Sequence, residues 1–78
     1  MENPFVSIYS IKSATTFYIN LNHIVQITFD DERGRIGMVY NNGRYENFEL
    51  SKEKVKKYND YKSDYELTKF IIINKIKC

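Results

Sequence analysis

The chain has 78 residues, enough for one compact domain and too few for two. Its hydrophobic fraction of 42% and charged fraction of 28% are ordinary globular values, so the composition argues against disorder. The only cysteine is Cys78, which excludes an internal disulfide and favours a reducing compartment. We therefore expect a single cytoplasmic domain over residues 1–78, with neither a signal peptide nor a membrane-spanning segment.

The net charge of +2 is unevenly distributed along the chain. Residues 1–50 carry four basic against six acidic side chains, whereas residues 51–78 carry eight lysines against four acidic side chains. A basic C-terminal segment of this kind indicates either a solvated helix or contact with an acidic partner.

Three segments near the N-terminus alternate apolar and polar residues, which is the pattern of half-buried strands. They run from Phe5 to Ile11, from Phe17 to Leu21 and from His23 to Phe29. The first two are joined by a short polar connection, so we expect them to pair as a hairpin.

Two further strands are predicted, Arg35 to Asn41 and Arg44 to Leu50, on either side of Asn42-Gly43. This dipeptide is typical of a two-residue type I′ hairpin turn, in which both central residues have positive φ. Such a turn predicts three cross-strand pairs: Tyr40 with Tyr45, Val39 with Glu46 and Met38 with Asn47.

The remaining segments predict a short helix and a sixth strand. Ser51 suits an N-cap, so a helix is expected near residues 52–60. In the tail, residues 66–77, the run Phe70 to Ile73 favours a strand, although its spacing also fits a helix. The fold expected is mainly β, of the α+β class: a small antiparallel sheet or partly open barrel of five to six strands with one short helix.

The segments Tyr18 to Ile27, Met38 to Tyr45 and Leu50 to Val55 carry a resemblance to two families. Over residues 5–58 the chain resembles short FlbD-like proteins of bacteria and phages, and over residues 18–58 it is similar to the C-terminal half of LytTR DNA-binding domains. The first resemblance implies an accessory or regulatory binder without a catalytic motif. The second implies DNA recognition.

No constellation of residues indicates catalysis. His23 is the only histidine and lacks a nearby nucleophile with an orienting acid, and Cys78 lacks a shell that would activate its thiol. One histidine and one terminal cysteine cannot build a zinc site. We therefore expect no enzyme activity, no cofactor and no metal.

The leading hypothesis is a non-catalytic protein-binding regulator or inhibitor, such as a phage or mobile-element protein that acts on a host nucleic-acid-handling defence complex. Seven tyrosines and several arginines supply the side chains that dominate binding hot spots. An acidic loop could in addition mimic phosphates toward such a partner. The predicted partner-binding residues are Tyr40, Arg44 and Tyr45 at the hairpin, and Asp30, Asp31 and Glu32 in the loop.

Two alternatives remain open. A nucleic-acid-binding, LytTR-like regulator would stack bases on tyrosines and neutralise phosphates with lysines of the basic segment. A structural accessory subunit is also compatible with the FlbD-like resemblance, and an edge strand in the tail could form a homodimer. The residues predicted for nucleic acid are Lys54, Lys57, Tyr58, Tyr61 and Lys62.

Overall fold

The computed structural model describes residues 3–56 and 62–77. A 3₁₀ turn, Leu21–His23, joins the second and third strands. The strands form two antiparallel sheets, one of two strands and one of three, and these do not close into a barrel. The mainly β, α+β class with five strands is confirmed. The elements are β1 (Phe5–Ser10), β2 (Thr15–Asn20), β3 (Ile24–Asp30), β4 (Arg35–Tyr40), β5 (Tyr45–Glu49) and α1 (Asp64–Lys77).

The predicted pairing of the first two strands is confirmed. β1 is antiparallel to β2, with Val6 opposite Ile19 and Ile8 opposite Phe17. The strand predicted to end at Leu21 ends one residue earlier, because the side chain of Asn20 accepts a hydrogen bond from the Asn22 N–H and begins the 3₁₀ turn.

A single core lies where the buried faces of the two sheets meet. The rings of Phe17 on β2 and Phe48 on β5 pack edge to face, with centroids 5.3 Å apart. Since a chain of this length has a thin core, each fully buried side chain carries a large share of its stability. The buried core residues are Val6, Ile8, Ile19, Leu21, Ile36, Met38, Phe48, Leu50, Tyr65 and Ile72.

The turn between β4 and β5 differs from the one predicted. The Tyr40 N–H donates to the Arg44 carbonyl at 2.8 Å, and the Gly43 N–H donates to the Tyr40 carbonyl at 2.9 Å. Of the two central residues only Gly43 has positive φ, so the connection has three residues and a glycine bulge instead of a type I′ turn. The predicted register is therefore wrong by one residue. The observed pairs are Val39 with Tyr45, Met38 with Glu46 and Gly37 with Asn47.

The loop between β3 and β4 is closed by Gly34, as its position in the sequence suggests. Its N–H donates to the Asp30 carbonyl at 2.8 Å, and its φ of 70° lies in the left-handed region. The Asp30 carboxylate accepts hydrogen bonds from the N–H groups of Glu32 and Arg33. The Gly34 carbonyl then accepts from the Leu50 N–H, which connects the loop to the end of β5.

The tail is a helix, so the predicted sixth strand is wrong. Tyr65 and Ile72, two helical turns apart, are both buried. Ser63 and Glu66 form a capping box: the Glu66 N–H donates to Ser63 Oγ at 3.0 Å, and the Ser63 N–H donates to Glu66 Oε2 at 3.2 Å. This reciprocal cap decides between the two structures that the apolar run allows.

The helix predicted near residues 52–60 is not formed in its described part. Residues 52–56 lie in turns and irregular structure, and residues 57–60 fall outside the described residues. Ser51 Oγ accepts a hydrogen bond from the Glu53 N–H, while the Ser51 carbonyl accepts from the Tyr65 N–H at 2.9 Å. Ser51 therefore makes a local turn and a contact with α1, and it does not cap a helix of its own.

Candidate functional site

The structure does not bring the predicted hairpin residues together on one surface. Tyr40 lies opposite Ile24 and packs against the core, where burial raises the pKa of its phenol. Tyr45 lies on the opposite face of the sheet and is 61% exposed. The one-residue shift in register causes this separation, because neighbouring positions on a strand point to opposite faces.

Tyr45 has an intramolecular role in covering a glycine. A Cβ atom at Gly37 would lie 2.8 Å from the Tyr45 hydroxyl oxygen and 2.6 Å from Thr28 Oγ1. The tyrosine therefore occupies the space that a side chain on β4 would fill. Arg44, beside it, pairs with Glu46 at 3.3 Å at the exposed surface.

The acidic loop is occupied by contacts within the chain. Hydrogen bonds from the Arg33 and Glu32 backbone and the Arg33 side chain hold the pKa of Asp30 below its usual value. Asp31 accepts from Lys69 Nζ at 2.8 Å and from the Tyr65 hydroxyl at 2.5 Å, and these bonds lower its pKa as well.

Tyr65 of α1 is the hydroxyl donor to Asp31. Burial and this hydrogen bond to the Asp31 carboxylate raise the pKa of Tyr65. The Glu32 carbonyl accepts a hydrogen bond from Lys52 Nζ at 3.0 Å. The contacts of Asp31 with Lys69 and Tyr65 hold α1 against the loop between β3 and β4.

The acidic loop and the Asn42-Gly43 turn lie at opposite ends of β4. A strand of six residues separates them by about 17 Å at roughly 3.3 Å per residue. The six residues predicted for partner binding therefore form two distant groups.

The residues predicted for nucleic acid are only partly described. Lys54 is exposed, whereas Lys57, Tyr58 and Tyr61 lie outside the described residues. Lys62 Nζ sits 4.3 Å from the centroid of the Phe70 ring, a cation–π contact. Phe70 also borders a cleft of about 460 Å³ that Lys52 and Lys69 help to line.

A different surface shows the features of a binding site. The outer face of the β1–β2 sheet, here called the aromatic face, carries Phe5, Tyr9 and Tyr18, which are 48%, 50% and 74% exposed. Cross-strand pairing surrounds these rings with small polar side chains and no charge. The aromatic face consists of Phe5, Ser7, Tyr9, Thr16, Tyr18 and Asn20.

A groove extends the aromatic face toward the helix. Ser7, Tyr9 and Thr16 line one side, Leu67 and Ile71 of α1 line the other, and the volume is about 520 Å³. Ile71 is 37% exposed, so the apolar surface continues from the sheet onto α1.

One sequence signal could have identified this surface. Between Asn3 and Phe29 the only charged side chain is Lys12, and β1 and β2 have large apolar residues on both sides of their alternation. A half-buried hairpin usually has polar residues on its outer face.

Among residues 3–56 and 62–77, no three His, Cys, Asp or Glu side chains are grouped as a metal site requires. None of the helices formed by these residues has the length and apolar character needed to cross a membrane. Comparison of the chain with protein-family models, with curated proteins and with solved structures gave no match.

Proposed function

We propose that this chain is a non-catalytic protein-binding regulator or inhibitor that docks a partner protein on its aromatic face. The observation that carries this proposal is the exposure of Phe5, Tyr9 and Tyr18 on a surface without charged side chains. Their rings lie on one side of a two-stranded sheet whose other side is buried in the core. Aromatic enrichment and charge depletion characterise the centres of protein interfaces.

The composition of the aromatic face defines the chemistry of the partner. Tyrosine rings give large apolar contact area with little conformational entropy to lose, and their hydroxyls can bond to backbone groups of the partner. The groove beside Tyr9 offers a place for an apolar side chain between the sheet and Ile71. Among the residues that the structure describes, Asp64 is the one charged side chain that lines this groove, so the matching surface is mainly apolar or neutral and binding should depend only weakly on salt.

A photo-crosslinking amino acid at Tyr9 tests this proposal in cells that express the full chain. We expect an adduct with another protein, of a mass different from twice that of the chain. The matched control places the same amino acid at Asn47, which is exposed on the three-stranded sheet. The same adducts from both positions, or no heterologous adduct from Tyr9, would overturn the proposal.

The second candidate is a nucleic-acid-binding regulator, which one observation favours. Lys52 and Lys69 line the cleft next to the exposed ring of Phe70, and Lys62 lies over that ring. Lysines beside an exposed aromatic ring are the elements that single-stranded nucleic acid engages.

Fluorescence anisotropy of labelled DNA and RNA, titrated with the protein at low and near-physiological salt, separates the two candidates. If the chain binds nucleic acid, its affinity should fall steeply as the salt concentration rises, and Lys62→Glu should lower the affinity further. Lys12→Glu is the control, because Lys12 lies outside the basic C-terminal segment. No binding at either salt would remove this candidate and leave the aromatic face as the site.

A further inference from the structure

The free edge of β2 exposes backbone groups that no described element covers. Among residues 3–56 and 62–77, β2 pairs with β1 alone. The Leu21 N–H donates to the Pro4 carbonyl at 3.0 Å, so Pro4 and Leu21 occupy a hydrogen-bonded position of the ladder, although proline has no N–H to return a second bond. Hydrogen-bonded and non-hydrogen-bonded pairs alternate in an antiparallel ladder. The backbone N–H and C=O groups of Thr16 and Tyr18, and the N–H of Asn20, therefore point away from β1.

This edge lacks the features by which proteins prevent strand pairing. Thr15–Asn20 contains no lysine, no proline and no charge. The free edge of β3 differs, since its register is interrupted between Ile24 and Gln26 and the strand ends at the charged Asp30. The outer edges of β1 and β5 adjoin each other, and there the Ile11 N–H donates to the Glu49 carbonyl at 3.3 Å. Of the remaining edges, those of β2 and β3, β2 is the one open to another strand.

We propose that β2 pairs with β2 of a second copy of this chain, in antiparallel orientation, to give a continuous four-stranded sheet. In the two-fold register, Tyr18 lies opposite Tyr18 of the second copy. The outward-pointing N–H and C=O of each Tyr18 then face those of the other. The same register places Thr16 opposite Asn20, and Phe17 opposite Ile19, of the second copy. The buried faces of both hairpins then stay on the same side of the sheet.

A second copy matches this edge better than an unrelated strand does. All three cross-strand pairs join side chains of similar character, and no pair brings two like charges together. A two-fold interface needs one self-complementary patch, which is the commonest arrangement of homo-oligomers. The dimer would also join two aromatic faces into one surface, although the inference does not depend on the function proposed above.

Sedimentation equilibrium of the purified full chain over a range of concentrations tests the dimer. We expect the wild type to dimerise, and Tyr18→Lys to weaken dimerisation at least roughly tenfold because two lysines would lie opposite each other across the axis. Tyr9→Lys is the matched control, because Tyr9 is on the same face but on β1. A monomeric wild type, or equal weakening by both substitutions, would overturn the inference.

Disulfide crosslinking tests the register separately, with Cys78→Ser as the background. Tyr18→Cys should oxidise to a covalent dimer, since hydrogen-bonded partners have Cα atoms about 5.5 Å apart. Thr16→Cys should not, because the two Thr16 positions would lie about 13 Å apart along the strands. Equal crosslinking of the two variants would contradict the register. If both tests of the dimer fail, the proposed function still stands or falls on its own experiment, the photo-crosslinking of Tyr9 to a different protein.

Discussion

Gly34 and Gly43 have similar backbone conformations but different surroundings. Both have φ in the left-handed region, at 70° and 88°. A Cβ atom at Gly34 would lie 2.8 Å from the Leu50 carbonyl oxygen, whereas a Cβ atom at Gly43 would meet nothing within 4 Å. Gly34 is therefore required both for its conformation and for its small size.

Alanine substitutions should separate these two requirements. Gly43→Ala should cost about 1 kcal/mol of unfolding free energy, the strain of a left-handed alanine. Gly34→Ala should cost a further 1 to 3 kcal/mol or so, because the Leu50 backbone is hydrogen-bonded to Gly34 and cannot move away freely. Urea unfolding followed by circular dichroism measures both values, and equal losses would show that the contact with Leu50 is not restrictive.

The helix α1 is attached through few but fully buried side chains. Ile72 is 0% exposed, whereas its neighbour Ile71 borders the groove at the surface. Ile72→Ala should therefore destabilise the protein by about 2 to 5 kcal/mol, since it leaves a cavity.

Ile71→Ala serves as the control for this substitution and should cost about 1 kcal/mol or less. The same urea titration compares the two variants, which remove the same atoms from adjacent positions. A larger loss of unfolding free energy for Ile71→Ala than for Ile72→Ala would show that α1 is rotated about its axis, with Ile71 toward the core.

The contact between Asp31 and α1 makes stability depend on pH. Lys69 and Tyr65 lower the pKa of Asp31 below its ordinary value of 3.8 in the folded chain. A lowered pKa contributes stability that is present above the ordinary value and is lost as pH falls through the folded one. The free energy of unfolding should thus decline below about pH 4.

Asp31→Asn should remove part of this decline, because the amide does not titrate. Urea midpoints measured from neutral pH down into the acid range give the comparison, with Glu53→Gln as the control at an exposed turn position. Asp30 contributes in the same direction, so some acid dependence should remain. An unchanged acid slope in Asp31→Asn would contradict a stabilising role for the contact.

The sequence allowed the strands to be predicted because their alternation is a local property. It could not settle the tail, where Phe70 to Ile73 suits a strand or a helix; the capping box of Ser63 and Glu66 was the missed signal. The register of β4 and β5 was also missed, since Asn42-Gly43 is compatible with more than one turn type.

The aromatic face was harder to foresee than the strands that bear it. In β1, Val6 and Ile8 are buried and Phe5 and Tyr9 are exposed, yet all four are large apolar residues. Which side is buried depends on packing against the three-stranded sheet, information that the hairpin sequence lacks. Charge content was the useful clue: between Asn3 and Phe29 only Lys12 is charged.

Within residues 3–56 and 62–77, every strand pair joins strands that are consecutive in the sequence. β1 pairs with β2, β3 with β4 and β4 with β5, so the closure of each ladder involves a short loop. The helix is attached across long sequence separations, through Asp31 to Tyr65 and Lys69 and through Asn3 to Lys75.

This connectivity sets an order of folding events. Local hairpins can close early, while docking of α1 must wait for partners that lie far away in sequence. We expect Ile72→Ala to accelerate unfolding with little effect on the refolding rate, and Ile36→Val in the central strand to slow refolding. Stopped-flow measurements over a range of urea concentrations would show this, and slower refolding of Ile72→Ala would place the helix in the transition state.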